Sequence, residues 1–123
     1  MTNKKYLFVG GLMAMGLDET GQYLLTVTHS GRGVFDTRTW ERVARDAQLA
    51  YPTEHMAEGI GPLAGKRIGV AERDEEHERI VLQSRAGDFA LIGQSDGIEV
   101  QFGSEQSAGP YGSPAAGSPS GQP

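Results

Sequence analysis

The chain has 123 residues, 37% of them hydrophobic and 22% charged, and its formal net charge is −5 at pH 7. This length accommodates a single domain, and no apolar run approaches the roughly 18 residues that a membrane-spanning helix requires. The acidic balance disfavours a nucleic-acid partner, because phosphate binding requires a clustered basic surface. The absence of cysteine excludes a disulfide framework, a thiolate metal site and a cysteine nucleophile.

The first hundred residues alternate between apolar and polar positions with a period of two, which predicts an all-β domain. Short connections rich in turn residues join most of the strands, so consecutive strands are expected to pair as antiparallel meanders. In chain order, the predicted strands are residues 6–9, 12–17, 22–29, 33–36, 42–44, 67–72, 78–84, 88–94 and 98–102. No apolar stripe with helical spacing lasts for three turns.

Three segments depart from this pattern. An apolar stretch follows Lys4 and Lys5, but three glycines interrupt it, so it does not predict a signal peptide and the protein is expected to be cytoplasmic. Residues 46–65 either cross between sheets or hold a short helical turn at 47–50. Glycine, proline and serine fill 13 of the 20 positions of residues 104–123, which predicts a disordered tail after a single β domain at 1–103.

An internal repeat relates two of the predicted hairpins. Residues 21–34 align without a gap on residues 87–100. In both copies an aromatic residue and an aliphatic residue two positions later lie on one strand face, and a polar residue followed by glycine turns the chain. The matched pairs are Gly21 and Gly87, Tyr23 and Phe89, Leu25 and Leu91, Ser30 and Asp96, Gly31 and Gly97, and Val34 and Val100.

The first copy lies within a longer pattern at residues 17–46: an acidic residue and glycine in a turn, alternating aliphatics, a polar-glycine turn, a strand ending in Asp36, and a further turn and strand. This order resembles one blade of a WD-repeat or related bacterial β-propeller, and residues 80–102 resemble a blade more loosely. A closed propeller needs about four or more blades, whereas this chain has room for two. We therefore expect two blade-like meanders packed as a small sandwich or open barrel, with a ring of several chains and a propeller-derived fragment of different closure as alternatives.

The resemblance implies recognition of partners through loops and exposed strand edges. His29, Arg32, Arg38 and Trp40 lie in or beside successive turns of the first predicted hairpin. Tryptophan and arginine are the residue types that most often dominate interface energies. These four residues are the predicted binding face; the structural alternative is that Trp40 closes the sheet edge and the arginines are solvated.

Recognisable catalytic, cofactor and metal motifs are missing. The glycine-rich residues 59–67 fail the spacing of a phosphate-binding loop and precede a predicted strand instead of a helix. The three histidines lie in separate segments without metal-ligand spacing, and no Gly-x-Ser-x-Gly elbow occurs. The sequence predicts no catalytic residue, no cofactor and no metal ion.

Three functional hypotheses follow. The preferred one is a non-catalytic, bacterial-type module that binds another protein, in its most specific form an immunity-like inhibitor of a toxin, with a basic protein as the expected partner. The second is a small hydrolase-like or ligand-binding enzyme that uses His29 with a carboxylate brought close by folding. The third is a structural subunit that forms oligomers through open sheet edges.

Overall fold

Two antiparallel sheets packed against each other form the part of the chain that the computed structural model describes, residues 4–47 and 53–102. The strands are β1 (Lys4–Phe8), β2 (Leu12–Leu17), β3 (Tyr23–Thr28), β4 (Gly31–Asp36), β5 (Glu41–Asp46), β6 (Ala71–Glu72), β7 (Ile80–Gln83), β8 (Phe89–Gln94) and β9 (Gly97–Phe102). Two short 3₁₀ turns, Glu54–Ala57 and Gly61–Leu63, lie between β5 and β6. The predicted fold class, an all-β pair of antiparallel sheets that does not close, is confirmed.

The predicted meanders form most of both sheets. The five-stranded sheet has the order β5-β4-β3-β2-β6, and the four-stranded sheet has the order β1-β9-β8-β7. Within them, β2 to β5 and β7 to β9 each run as an antiparallel meander, as the sequence predicts. The predicted tail at 104–123 and most of the predicted helical turn at 47–50 lie outside the described residues.

The prediction that consecutive strands pair is wrong for β1 and β2, and also for β6 and β7, because the two strands of each pair belong to different sheets. Strand β1 pairs with β9 instead, in a continuous register from Lys4 opposite Gln101 to Phe8 opposite Gly97. The backbone N–H groups of Gly11 and Leu12 both donate to the carbonyl of Ser95, at 2.9 and 3.3 Å. These bonds hold the connection against the turn between β8 and β9, so β2 begins on the face of the four-stranded sheet and cannot lie beside β1.

Two apolar clusters stabilise this arrangement. The larger one fills the space between the sheets and includes Leu12 and Met15 of β2 packed against Leu91 and Ile98. The smaller one lies on the outer face of the five-stranded sheet, which the segment after residue 53 covers. Its buried members are Ala14, Leu25, Val27, Val34, Leu63 and Ile68. The outer face of β3 and β4 is therefore buried, as is the face between the sheets.

The segment that covers this face also explains why the predicted strand 67–72 is too long. Only Ala71–Glu72 pairs with β2 as a strand. Arg67 forms an isolated bridge with Glu58 instead, and Ile68 is buried in the outer cluster. Pairing within the covering segment therefore replaces the sheet pairing that the alternating pattern predicts.

The hairpins β3–β4 and β8–β9 turn in the same way. Gly31 has φ of 154° and Gly97 has φ of 157°, a region that favours glycine. A Cβ atom on Gly31 would collide with the carbonyl oxygen of Asp46, and one on Gly97 with the carbonyl oxygen of Leu7. Since Asp46 is on β5 and Leu7 is on β1, the N-terminal strand β1 has the position in its sheet that β5 has in the other.

We expect Gly31→Ala and Gly97→Ala each to lower the free energy of unfolding by about 2–3 kcal/mol, because both the backbone conformation and the adjacent carbonyl oppose a side chain. Urea denaturation followed by circular dichroism measures this loss. Gly10→Ala is the matched control, since a Cβ atom there meets nothing within 4 Å. Equal stabilities for all three variants would contradict the close approach of the neighbouring strands.

Candidate functional site

The four predicted binding residues lie at two opposite ends of the five-stranded sheet. His29 is in the exposed turn between β3 and β4, and Arg32 is the second residue of β4. Arg38 and Trp40 lie in the turn that joins β4 to β5 at the other end. Six residues of extended chain separate the ends of β4 by about 17 Å. The structure therefore brings Arg38 and Trp40 together but does not form one face from all four residues.

Arg32 is buried, with 3% of its side chain exposed. Its Nη2 donates to the carboxylate of Asp46 at 2.8 Å, and its Nη1 donates to the backbone carbonyls of His55 at 3.0 Å and Glu58 at 2.5 Å. The guanidinium thus connects β4, the end of β5 and the segment that covers the sheet. This position does not fit the prediction that Arg32 contacts a partner, because its side chain is enclosed by its own chain.

The turn that contains Trp40 has an unusual backbone conformation. The carbonyl of Asp36 accepts hydrogen bonds from the N–H groups of Thr39 at 3.3 Å and Trp40 at 2.6 Å. Trp40 itself has φ of 62° and is the only residue other than glycine with positive φ in the described part of the chain. Such a conformation costs about 1–3 kcal/mol and persists only where surrounding contacts fix it.

The contacts that fix Trp40 come from the other sheet. Its ring lies edge-on to Phe89, with centroids 5.1 Å apart and planes at 85°, and to Phe102 at 5.9 Å and 76°. Edge-to-face aromatic pairs at these separations are favourable beyond the apolar area they bury. The strained turn therefore extends the indole from the five-stranded sheet onto the aromatic end of the four-stranded sheet.

An open cleft of about 810 Å³ surrounds this aromatic cluster. It lies where the turn after β2, the turn between β4 and β5, and the turn between β7 and β8 meet. We call it the Trp40 cleft; its chemically distinctive lining residues are Trp40, Phe89, Phe102, Arg38, Arg85 and Asp88. Of these, the sequence predicted only Arg38 and Trp40. The repeat was a signal for Asp88 and Phe89, because both lie in its second copy, whereas Arg85 and Phe102 lie outside it.

Asp36 positions Arg38 at the cleft. The guanidinium donates from Nε to Oδ1 of Asp36 at 3.3 Å and from Nη2 to Oδ2 at 3.1 Å. These bonds hold the pKa of Asp36 below its ordinary value and raise the pKa of Arg38. The Arg38 side chain is still 69% exposed, and its Nη1 has no hydrogen-bond partner among the described residues. A fixed, charged donor is therefore presented to solvent beside the indole.

The histidines lie outside this cleft. His55 contacts the carboxylate of Glu58 through Nδ1 at 2.8 Å, and His77 contacts Asp74 at 3.0 Å. In residues 4–47 and 53–102, no three histidine or carboxylate side chains are grouped so that they could hold a metal ion. No helix in these same residues is long and apolar enough to cross a membrane.

Comparisons with protein-family models, with curated proteins and with solved structures find no match to this chain. The resemblance to propeller blades therefore stays a prediction.

Arg32 and Arg38, which the sequence analysis placed in one binding face, should differ sharply in how much their substitution lowers stability. We expect Arg32→Ala to lower the free energy of unfolding by about 3 kcal/mol, because two enclosed carbonyls lose their donor and Asp46 loses its ion pair. Arg38→Ala, the control, should lower the urea midpoint much less, since the Arg38 side chain is 69% exposed and the Asp36 carboxylate keeps the hydrogen bond from the backbone N–H of residue 38. A midpoint that falls equally in both variants would contradict the enclosed position of Arg32.

The Asp36 carboxylate should contribute to acid sensitivity. Because its pKa is depressed in the folded protein, the contribution is fully present above about pH 4, the ordinary range of aspartate, and is lost as the pH falls through the folded value. Asp36→Asn should therefore lose less stability than the wild type between about pH 5 and pH 2. Urea midpoints measured at each pH test this, and parallel pH profiles would contradict it.

Proposed function

We propose that this protein is a non-catalytic binding module that holds a segment of another protein in the Trp40 cleft. One observation carries the proposal: a strained turn keeps an indole beside two phenylalanines and two arginines in an open cleft. Partly buried aromatic and arginine side chains are the groups that most often supply binding energy in protein interfaces.

The chemistry of the cleft defines the segment it would accept. The half-buried rings of Trp40 and Phe102 offer aromatic surface to an apolar side chain, and the buried Phe89 supports them from below. Arg38 offers its remaining guanidinium donors to a carboxylate, and its bonds to Asp36 reduce the rotamer entropy lost on binding. We therefore expect a ligand segment in which an aromatic or aliphatic residue lies next to aspartate or glutamate.

The whole-molecule charge adds a separate preference. A net charge of −5 favours encounter with a partner that is basic elsewhere on its surface. The immunity-like role, inhibition of a basic toxin, is the most specific form of this proposal, and it rests on that charge. His29 lies at the opposite end of β4 from the cleft, so the binding proposal does not involve it.

Trp40 is the only tryptophan in the chain, so its fluorescence reports directly on the cleft. Peptides selected from a random library against the full chain should carry an apolar residue beside a carboxylate and should shift this fluorescence on titration. We expect the double variant Arg38→Ala, Arg85→Ala to bind these peptides at least about tenfold more weakly, since both arginines line the cleft.

Arg42→Ala is the matched control, because Arg42 is exposed on β5 and does not line the Trp40 cleft. It should bind the selected peptides as the wild type does. Peptides that bind the double variant and the wild type equally, or whose carboxylate is replaced by an amide without loss of affinity, would contradict the proposed role of the cleft.

A further inference from the structure

The edge strand β1 has features that the Trp40 cleft does not use. Phe8 is 85% exposed, the most exposed of the large apolar side chains in the described residues. Its ring contacts Tyr6 edge-on, with centroids 4.8 Å apart. The β1 strand ends the order of the four-stranded sheet, so one side of its backbone pairs with no other strand of the described residues. An exposed aromatic on an open edge is costly in an isolated domain and is typical of a strand that pairs with another.

The other long edge strand is less suited to pairing. The register of β5 against β4 is interrupted by a bulge between Val34 and Phe35, and bulges twist an edge away from further strands. The Asp46 carboxylate at its end is already bonded to Arg32. By contrast, β1 keeps an unbroken register with β9 over all five of its residues.

We infer that β1 pairs antiparallel with β1 of a second copy of this chain, centred on Tyr6, so that Lys4 lies opposite Phe8 of the partner subunit. Because the side chains of a strand alternate, Lys4, Tyr6 and Phe8 share the outer face of the sheet, whereas Leu7 is buried in the core. The two four-stranded sheets then continue into one sheet across the dimer axis.

The charges of β1 select a second copy in this orientation. Parallel pairing would place Lys4 and Lys5 directly against the same lysines, which is unfavourable. Antiparallel pairing separates the lysines. It also sets each Lys4 side chain, which is 60% exposed and contacts Glu99 of its own chain at 3.6 Å, against an aromatic ring, a favourable cation–π arrangement. It also brings Lys4 to the end of the partner sheet where Phe8 is opposite Gly97, the residue that follows the acidic Asp96.

The symmetry of this contact makes the assembly closed. Each copy uses the same strand, so both open β1 edges are paired in a two-fold dimer, and the assembly does not continue into a fibre. A contact built on five-residue strands is smaller than a standard interface, and we expect a dissociation constant of about 10 μM. None of the β1 residues lines the Trp40 cleft, so loss of the dimer and loss of peptide binding are separable results.

Light scattering after size exclusion of the full chain tests the inference. The molar mass should rise from 13.2 kDa to twice that value as the concentration increases from about 1 to 500 μM, spanning the expected dissociation constant. Phe8→Lys should remain monomeric throughout this range, with an unchanged circular dichroism spectrum because the side chain is exposed. Val81→Lys is the matched control on the opposite edge strand of the same sheet, where Val81 is 63% exposed, and it should still dimerise.

A charge exchange tests the register. Phe8→Lys places two lysines opposite each other, and adding Lys4→Glu to it should restore the dimer by opposing unlike charges. A wild type that stays monomeric at the highest concentration would overturn the inference. So would a Phe8→Lys variant that still dimerises, a Val81→Lys variant that becomes monomeric, or a double variant that stays monomeric.

Discussion

The pairing of β1 with β9 is the contact on which the rest of the structure depends. It joins residues from opposite ends of the described chain, so it is formed only at the entropic cost of closing a long loop. In return it buries Leu7 beside Ile98 and completes the four-stranded sheet. It also leads the chain directly into β2, whose Leu12 and Met15 fill the space between the sheets. Both sheets therefore share one core, and neither is expected to fold without the other.

The Trp40 cleft is a consequence of this packing. Once the sheets face each other, turns from both meet at one end, and the indole of Trp40 extends from the five-stranded sheet to Phe89 and Phe102 of the four-stranded one. The positive φ of Trp40 is a local cost that these contacts offset. The same aromatic contacts thus stabilise the junction of the sheets and form the surface to which we assign binding. Arg32 has the corresponding structural role at the other end of β4, where it fixes the covering segment.

The sequence predicted the positions of the strands far better than it predicted which strands pair with each other. Alternation and turn residues located all nine strands, because both are local properties of the backbone. Alternation carries no information about which strand lies alongside, so the partner of β1 was missed. It also places Arg32 on the face of Val34 without revealing that a later segment covers that face. Arg38 and Trp40 share one turn and were found together, whereas Phe102 and Arg85 enter the cleft only through the packing of the two sheets.

Native-state hydrogen exchange tests the shared core most directly. The β1 amides facing β9 should exchange with the same free energy of opening as the central amides of β3 and β4, because all of them are released in one global unfolding. The exchange is measured on the Phe8→Lys variant at low concentration, so that dimer formation does not contribute to the protection of the β1 amides. Exchange of those β1 amides at the rate of an unstructured peptide, while β3 and β4 stay protected, would contradict the claim that β1 unites the two sheets.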